Sequence, residues 1–149
     1  MTPLPRLRTK RLTDTATLPK RGTPHSSGLD ICADLGGDGH SLELSVVPTL
    51  VSTGLAMEIP VGYEVQIRPR SGLSRRGVDV AFGTVDADYR GELKVNMALR
   101  SGQPQAVSIH HGDRIAQIVV APVALVEVEE VESLSQTARG EGGFGSTGR

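Results

Sequence analysis

The chain has 149 residues, and its 16 basic and 17 acidic side chains give a net charge of −1 at pH 7. This balance provides no overall basic field for a nucleic-acid polymer. One domain is expected at this length. A chain of this size buries about two-thirds of the surface that it exposes when unfolded, which is enough for a stable core without disulfides or a structural metal. Cys32 is the sole cysteine, and the four histidines lack zinc-ligand spacing, so His110 and His111 are interpreted as loop residues.

No apolar run approaches the ~20 residues of a membrane span, and the first residues show no apolar leader. A cytoplasmic protein without a membrane partner is therefore expected. The basic cluster near the start of the chain (Arg6, Arg8, Lys10, Arg11) is compatible with an arm for an anionic partner.

Short runs of alternating apolar and polar residues predict strands along most of the chain, and Gly and Pro separate them. The predicted strands include Tyr63–Ile67, Glu92–Met97, Arg114–Val120 and Leu125–Glu129. The only predicted helix is a turn or two around residues 71–76. Pieces of this length are typical of a jelly roll or barrel, so we expect an all-β double-sheet domain with an aliphatic core.

Two segments place polar groups beside glycines. Residues 26–33 read SSGLDICA and set Asp30 behind a glycine, a position suited to holding a hydrated cation. Residues 69–74 read PRSGLS and offer a guanidinium, a hydroxyl and a glycine N–H at the predicted helix start. Taken singly, each segment is better explained as a turn next to a strand.

The segment Gly83–Gly91, GTVDADYRG, contains two carboxylates, a phenol and a guanidinium between glycines. On an extended path Asp86 and Asp88 point to one side, with Val85 and Ala87 on the other. A carboxylate that faces a pocket can take a proton from water and contribute roughly 10² to 10⁴ in rate. A solvated turn closed by Asp and Gly explains the segment equally well.

The last residues, 139–149, read RGEGGFGSTGR, with five glycines around one phenylalanine. Glycine N–H groups, hydroxyls and a planar guanidinium are the chemistry of a phosphate clamp. An ordinary P-loop is excluded, because Ser146 stands where its lysine belongs. A disordered Gly/Ser linker is the alternative, although Phe144 and Arg139 argue against it.

In this order the segments resemble the five motifs of the trimeric dUTPase family (deoxyuridine 5′-triphosphate nucleotidohydrolase). The motifs are SSGLDICA, PRSGLS, GTVDADYRG, GDRIAQI (residues 112–118) and RGEGGFGSTG. The resemblance spans nearly the whole chain. It implies a distorted jelly roll over residues 1–138 and a lid, residues 139–149, that closes over a neighbouring subunit's active site in a homotrimer.

The resemblance also implies the reaction, which is hydrolysis of dUTP to dUMP and pyrophosphate by attack of water on the α-phosphorus. Asp86 would orient and deprotonate that water. Mg²⁺, held mainly by the substrate phosphates, would neutralise developing charge, and Asp30 would contact one of its waters. The phosphate oxygens would be bound by Arg70, Ser71, Gly72 and Gln117.

Specificity is implied in a hairpin from Val80 to Asp86, whose backbone groups read uracil. Val80 stands where many bacterial relatives have Asn, so this reading would rely on the backbone. Tyr89 would pack on the deoxyribose and exclude a ribose 2′-hydroxyl, and Lys94 would line the pocket. The other substrate-binding residues implied are Gly83, Thr84 and Val85 in the hairpin, and Arg139, Phe144 (stacking on uracil), Gly145, Ser146 and Thr147 in the lid.

Three alternatives compete with this interpretation. A dCTP deaminase of the same fold needs a glutamate at the pyrimidine, whereas the third motif here carries Asp86. A non-catalytic trimeric nucleotide-binding module is the second alternative. Asp86 argues against it, because binding alone does not require a base beside the α-phosphate. A nucleoside triphosphate hydrolase without base specificity would be revealed by competition with dTTP, dCTP and UTP.

Overall fold

The computed structural model describes residues 4–103 and 106–143, and the regular structure in these ranges is almost entirely strand. In chain order the elements are β1 (Arg8–Arg11), β2 (Lys20–Arg21), β3 (Leu29–Cys32), β4 (Ser41–Leu44), β5 (Thr49–Glu58), β6 (Tyr63–Arg68), α1 (Ser71–Arg75), β7 (Val78–Val80), β8 (Gly83–Val85), β9 (Glu92–Leu99), β10 (Val107–His110) and β11 (Arg114–Pro122). The all-β prediction is confirmed. Across the described ranges, no helix is long and apolar enough to span a bilayer.

The strands form three antiparallel sheets. One sheet has the order β1-β5-β9-β7, a second has the order β2-β3-β11-β6-β8, and β10 and β4 form a two-stranded pair. In the second sheet Gln117 on β11 lies opposite Asp30 on β3 and Arg68 on β6. The same sheet therefore carries residues of the first, third and fourth motifs.

An aliphatic core lies between the sheets, as the composition predicts. Alternate side chains of β6 and β9 point into it, among them Val65, Ile67, Leu93, Val95 and Met97. Burying one such side chain contributes about 1.5–3 kcal/mol. The polar residues between them face outward, and this alternation leaves Glu92 and Lys94 together on one side of β9.

The helix prediction is confirmed to within one residue. α1 begins at Ser71, directly after Pro69 and Arg70, and buries Leu73 against the core. It is followed by Gly77, whose φ of 78° lies in the left-handed region where glycine is favoured.

Two expectations from the sequence are wrong. Leu125–Glu129 forms no strand: in the described chain no strand pairs with it, and its apolar side chains are exposed. Alternation is not sufficient, because a strand needs a neighbour to complete its ladder. The segment from Val80 to Asp86 is not a hairpin, because β7 and β8 pair with different strands in different sheets.

The interpretation as loop residues is wrong for His110 and confirmed for His111, which lies in the turn between β10 and β11. His110 ends β10, and the mostly buried His111 ring accepts a hydrogen bond at Nδ1 from the Leu35 N–H, 3.1 Å away. Next to it lies the buried carboxylate of Asp34. That carboxylate accepts hydrogen bonds from Thr13 and Thr15 and the N–H of Gly36. Burial favours the neutral acid, but these hydrogen bonds outweigh it and lower the pKa of Asp34.

Candidate active site

A cavity of about 630 Å³ opens between β8 of the five-stranded sheet and β9 of the four-stranded sheet. It brings together six of the predicted site residues from the third motif and just beyond it. Its lining comprises Leu50, Ile67, Gly83, Thr84, Val85, Asp86, Tyr89, Glu92, Leu93 and Lys94.

Asp86 lies at the point where β8 ends. Val85 is buried opposite Val65 of β6, so the next residue emerges from the sheet at the cavity. The chain then turns, because the Tyr89 N–H donates to the Asp86 carbonyl at 3.1 Å. Of the two paths considered for this segment, the chain therefore follows the turn after Asp86. Asp88 does not line this cavity, whereas Asp86 does, and Asp86 takes part in none of the ion pairs found among the described residues.

Tyr89 closes one side of the cavity. Its hydroxyl donates to the main-chain carbonyl of Glu92 at 3.0 Å. The ring lies over Gly91, where a Cβ atom would come within 2.4 Å of the hydroxyl oxygen. The ring can take this position only because Gly91 has no side chain.

Lys94 lines the same cavity and forms an ion pair with Glu92, with 3.5 Å between Nζ and Oε2. Glu92 is not among the site residues predicted from the sequence. The signal that could have found it is its two-residue spacing from Lys94, which places both side chains on one face of a strand.

Val80, which precedes the third motif, and Gly83, its first residue, have different surroundings. The Val80 side chain is buried in the core and does not line the cavity. It therefore contributes to packing and does not contact a ligand in the cavity. Gly83 allows close packing of two strands, since a Cβ there would lie 3.0 Å from Cδ1 of Ile67.

A second group of predicted residues forms an ionic cluster around Asp30. Oδ1 of Asp30 accepts a hydrogen bond from Nε of Arg70 at 2.9 Å, and Oδ2 accepts one from Nη1 of Arg114 at 3.3 Å. Arg70 also donates to the carbonyl of Arg114 at 3.2 Å. Arg114 is not among the site residues predicted from the sequence, although it lies within the fourth motif.

Gln117 and the start of α1 adjoin this cluster. The Gln117 amide donates to the Pro69 carbonyl at 2.9 Å, and its side chain lies so close to Gly28 that a Cβ there would be 2.2 Å from Oε1. Gly72 lines a cavity of about 340 Å³ together with Arg70 and Arg114. Ser71 is the first residue of the helix.

The chain thus brings the predicted residues together in two places. Asp30, Arg70 and Gln117 do not line the cavity that Asp86 shares with Tyr89. Burial, followed by the Asp30 charge, raises the pKa of the Cys32 thiol on β3, which disfavours its thiolate form.

The segment predicted as a lid is described only as far as residue 143. Nε of Arg139 donates to the Gly142 carbonyl at 2.7 Å, and the Gly142 N–H donates back to the Arg139 carbonyl at 3.0 Å. These bonds form a local turn. The other predicted lid residues lie outside the described residues: Phe144, Gly145, Ser146 and Thr147.

Comparison with known proteins places these residues in a family. The model of the family described as dUTPase matches residues 14–148. The chain belongs to the dUTPase family. A relative from Desulfotalea psychrophila named deoxyuridine 5′-triphosphate nucleotidohydrolase is 49% identical over 93% of this chain and 91% of its own length. One of the same name from Nautilia profundicola is 46% identical over 97% of this chain and 99% of its own.

Solved dUTPase structures have the same fold, which confirms the predicted jelly roll. A variant of the Staphylococcus bacteriophage 80alpha dUTPase with dUpNHpp matches with a TM-score of 0.84 and 27% identity, over 97% of this chain and 99% of that one. A variant from phage phi11 of S. aureus, described for its coordination of a structural Mg(II) ion, matches with a TM-score of 0.75 and 25% identity, over 86% and 97%.

Among residues 4–103 and 106–143, no group of three His, Cys, Asp or Glu side chains could cage a metal ion. The residues present do fit an ion brought by a substrate. Asp30 is a single, partly exposed carboxylate held by two guanidinium groups, and its remaining lone pairs can accept hydrogen bonds from waters on Mg²⁺.

Proposed function

We propose that this member of the dUTPase family hydrolyses dUTP to dUMP and pyrophosphate. The observation that carries the proposal is the cavity in which Asp86, which has no ionic partner among the described residues, lies beside Tyr89 and the edge of β8. The names of its relatives, which are dUTP nucleotidohydrolases, support the same substrate and bond.

Asp86 is the general base of the proposed reaction. Its carboxylate accepts a proton from water as the water oxygen bonds to the α-phosphorus. The bond from that phosphorus to the bridging oxygen breaks, and pyrophosphate leaves with the electron pair. The position of Asp86 at the end of β8 suits this role, because the neighbouring Val85 anchors it in the core while its own side chain stays accessible.

The edge of β8 recognises uracil. β8 is the last strand of its sheet and pairs only with β6 in the described chain. The unpaired backbone groups of Gly83, Thr84 and Val85 can therefore act as a hydrogen-bonding edge for the base. Tyr89, held by its hydroxyl bond to Glu92, packs on the deoxyribose and leaves no room for a 2′-hydroxyl.

The cluster around Asp30 binds the triphosphate. The phosphate oxygens are contacted by Arg70, Ser71, Gly72 and Gln117. These contacts align the triphosphate for in-line displacement. Asp30 would hold Mg²⁺ through a coordinated water, with the substrate phosphates as the main ligands of the ion. When bound, the ion neutralises charge that develops on the phosphate oxygens.

A complete site requires more than one chain in this proposal, and the assembly is a homotrimer. The motivation is the separation of the Asp86 cavity from the Asp30 cluster within one chain. Residues 139–149 act as a lid on a neighbour's site, where Arg139, Ser146 and Thr147 contact phosphates and Phe144 stacks on uracil. The cytoplasmic location expected from the sequence stays a prediction.

The decisive experiment is turnover of dUTP, dTTP, dCTP and UTP by the full chain with Mg²⁺ and with the metal chelated. Pyrophosphate, phosphate and ammonia are measured separately. We expect pyrophosphate from dUTP alone, and a large loss on chelation. Ammonia from dCTP would indicate a deaminase, and equal rates with all four substrates would indicate an unspecific hydrolase; either result contradicts the proposal.

The lid and the trimer are tested by deleting residues 139–149. We expect most dUTP turnover to be lost while light scattering still reports a trimer. Full activity of the shortened chain contradicts the lid. A monomeric mass for the intact active chain contradicts the trimer.

A further inference from the structure

Glu92 contacts two residues that line the Asp86 cavity and one glycine of the adjacent strand. Its main-chain carbonyl accepts the Tyr89 hydroxyl at 3.0 Å, and carboxylate Oε2 lies 3.5 Å from Nζ of Lys94. The other carboxylate oxygen, Oε1, accepts the Gly54 N–H at 3.1 Å. The Glu92 side chain is therefore fixed to the backbone of the adjacent strand while it contacts Lys94.

The Gly54 N–H is available because β5 contains an irregularity at this point. The pairing register of β5 with β9 shifts between Ser52 and Ala56. Gly54 has a φ of 64°, in the left-handed region, and a Cβ there would lie within 3 Å of side chains of Thr13 and Asp34. A bulge of this kind leaves an N–H without its ladder partner, and the Glu92 carboxylate satisfies it with a charge-assisted bond.

The charges in the cavity are unbalanced. Its lining holds two carboxylates, those of Asp86 and Glu92, and one cation, Lys94. A lysine ammonium sits on a flexible four-carbon stem and pairs with any carboxylate it reaches. Lys94 shares the cavity with both carboxylates, and one of them is the proposed general base.

We propose that Glu92 is a positioning residue that holds the Lys94 ammonium away from Asp86, so that the Asp86 carboxylate stays free to accept a proton from water. This role rests on the proposed function and extends it to a residue outside the substrate contacts. A lysine paired with Asp86 would occupy the lone pairs that water must use and would stabilise the carboxylate against protonation.

The test is a set of four full-length enzymes: the unaltered chain, Glu92→Gln, Lys94→Met and the double variant. Gln keeps an oxygen for the Gly54 N–H and removes the charge that holds Lys94. We expect Glu92→Gln to lower kcat for dUTP about tenfold. In the double variant we expect kcat to return to within about twofold of Lys94→Met, because no ammonium is left to reach Asp86.

Glu58→Gln is the matched control. It also removes one carboxylate that is paired with a cation on a strand, since Glu58 binds Arg8 through both oxygens at 3.0 and 3.1 Å, but it lies outside the Asp86 cavity. We expect its kcat to equal that of the unaltered chain. A merely structural role for Glu92 predicts the same loss with and without Lys94.

The inference is overturned if Glu92→Gln keeps full kcat, or if adding Lys94→Met restores nothing. If Glu92→Gln fails to fold by circular dichroism, Glu92→Asp replaces it, because the shorter carboxylate withdraws from Lys94 while preserving the charge; the same rescue is required. Absence of dUTP turnover by the unaltered chain refutes the proposed function itself. If the unaltered chain hydrolyses dUTP but Lys94→Met does not restore kcat to the Glu92 variant, only the role of Glu92 is refuted.

Discussion

Two carboxylates on one sheet have opposite surroundings. Asp30 on β3 is held by Arg70 and Arg114, each oxygen within 3.3 Å of a guanidinium nitrogen. Asp86 at the end of β8 faces a cavity of about 630 Å³ and has no such partner in the described ranges. The first carboxylate is thus held by two cations, and the second is open to the cavity.

In the proposed reaction this difference separates the carboxylate that positions the substrate, Asp30, from the carboxylate that accepts a proton, Asp86. A carboxylate that binds two guanidinium groups preorganises them for phosphate recognition, because it fixes the orientation of the arginine planes. A general base needs free lone pairs and an approach path for water. One chain contains both arrangements, but it keeps them in different places.

The strongest way to break the comparison is Asp86→Asn. The amide keeps the shape of the side chain but cannot accept the proton, so kcat for dUTP should fall by roughly 10² to 10⁴. Binding of a non-hydrolysable dUTP analogue, measured by calorimetry, should stay within about threefold. A near-normal rate would remove Asp86 from the role of base.

Asp30→Asn tests the other carboxylate. Loss of its charge releases Arg70 and Arg114, and we expect kcat/KM to fall about 10- to 100-fold, in line with lost positioning of a phosphate-binding group. Thermal unfolding should change little, because this cluster is partly exposed. A large loss of stability with unchanged kcat/KM would make the cluster structural.

Gly91→Ala sharpens the description of the Asp86 cavity. The new Cβ would displace the Tyr89 ring, which we expect to raise KM for dUTP about tenfold and to improve turnover of UTP relative to dUTP. Gly22→Ala is the control, since a Cβ there meets only ordinary contact at 3.8 Å. Unchanged discrimination against UTP would show that Tyr89 does not read the sugar.

Asp34→Asn has the smallest expected effect on turnover. It tests whether a carboxylate held by several hydrogen bonds contributes only to stability. Because the folded state holds the pKa of Asp34 below its usual 3.8, its contribution is present above that pH and is lost as pH falls through the folded value. The variant should lose about 1–3 kcal/mol of unfolding free energy at pH 7. Denaturant unfolding between pH 7 and pH 2 should show the difference shrinking. A constant difference would contradict this origin.

Much of the candidate site could be predicted because its residues are close together in the sequence. Asp86, Tyr89 and Lys94 fall within nine residues, and their cavity forms largely from that stretch. Glu92 and Arg114 were missed, since their contacts to Gly54 and Asp30 join positions 38 and 84 residues apart. Residue type indicates which chemistry is possible, but not which distant group satisfies it.

The sequence by itself determined the all-β class, the aliphatic core, the short helix after Pro69 and the motifs of the dUTPase family. The class, the core and the helix follow from alternation, composition and turn residues, all of which are local features, whereas the motifs were identified by their resemblance to the family. Only the tertiary structure decided that β7 and β8 belong to different sheets, that residues 125–129 have no strand partner in the described chain, and that Asp30 is paired while Asp86 is open. Those outcomes depend on which strands meet, and sheet pairing is a long-range choice that local pattern leaves open.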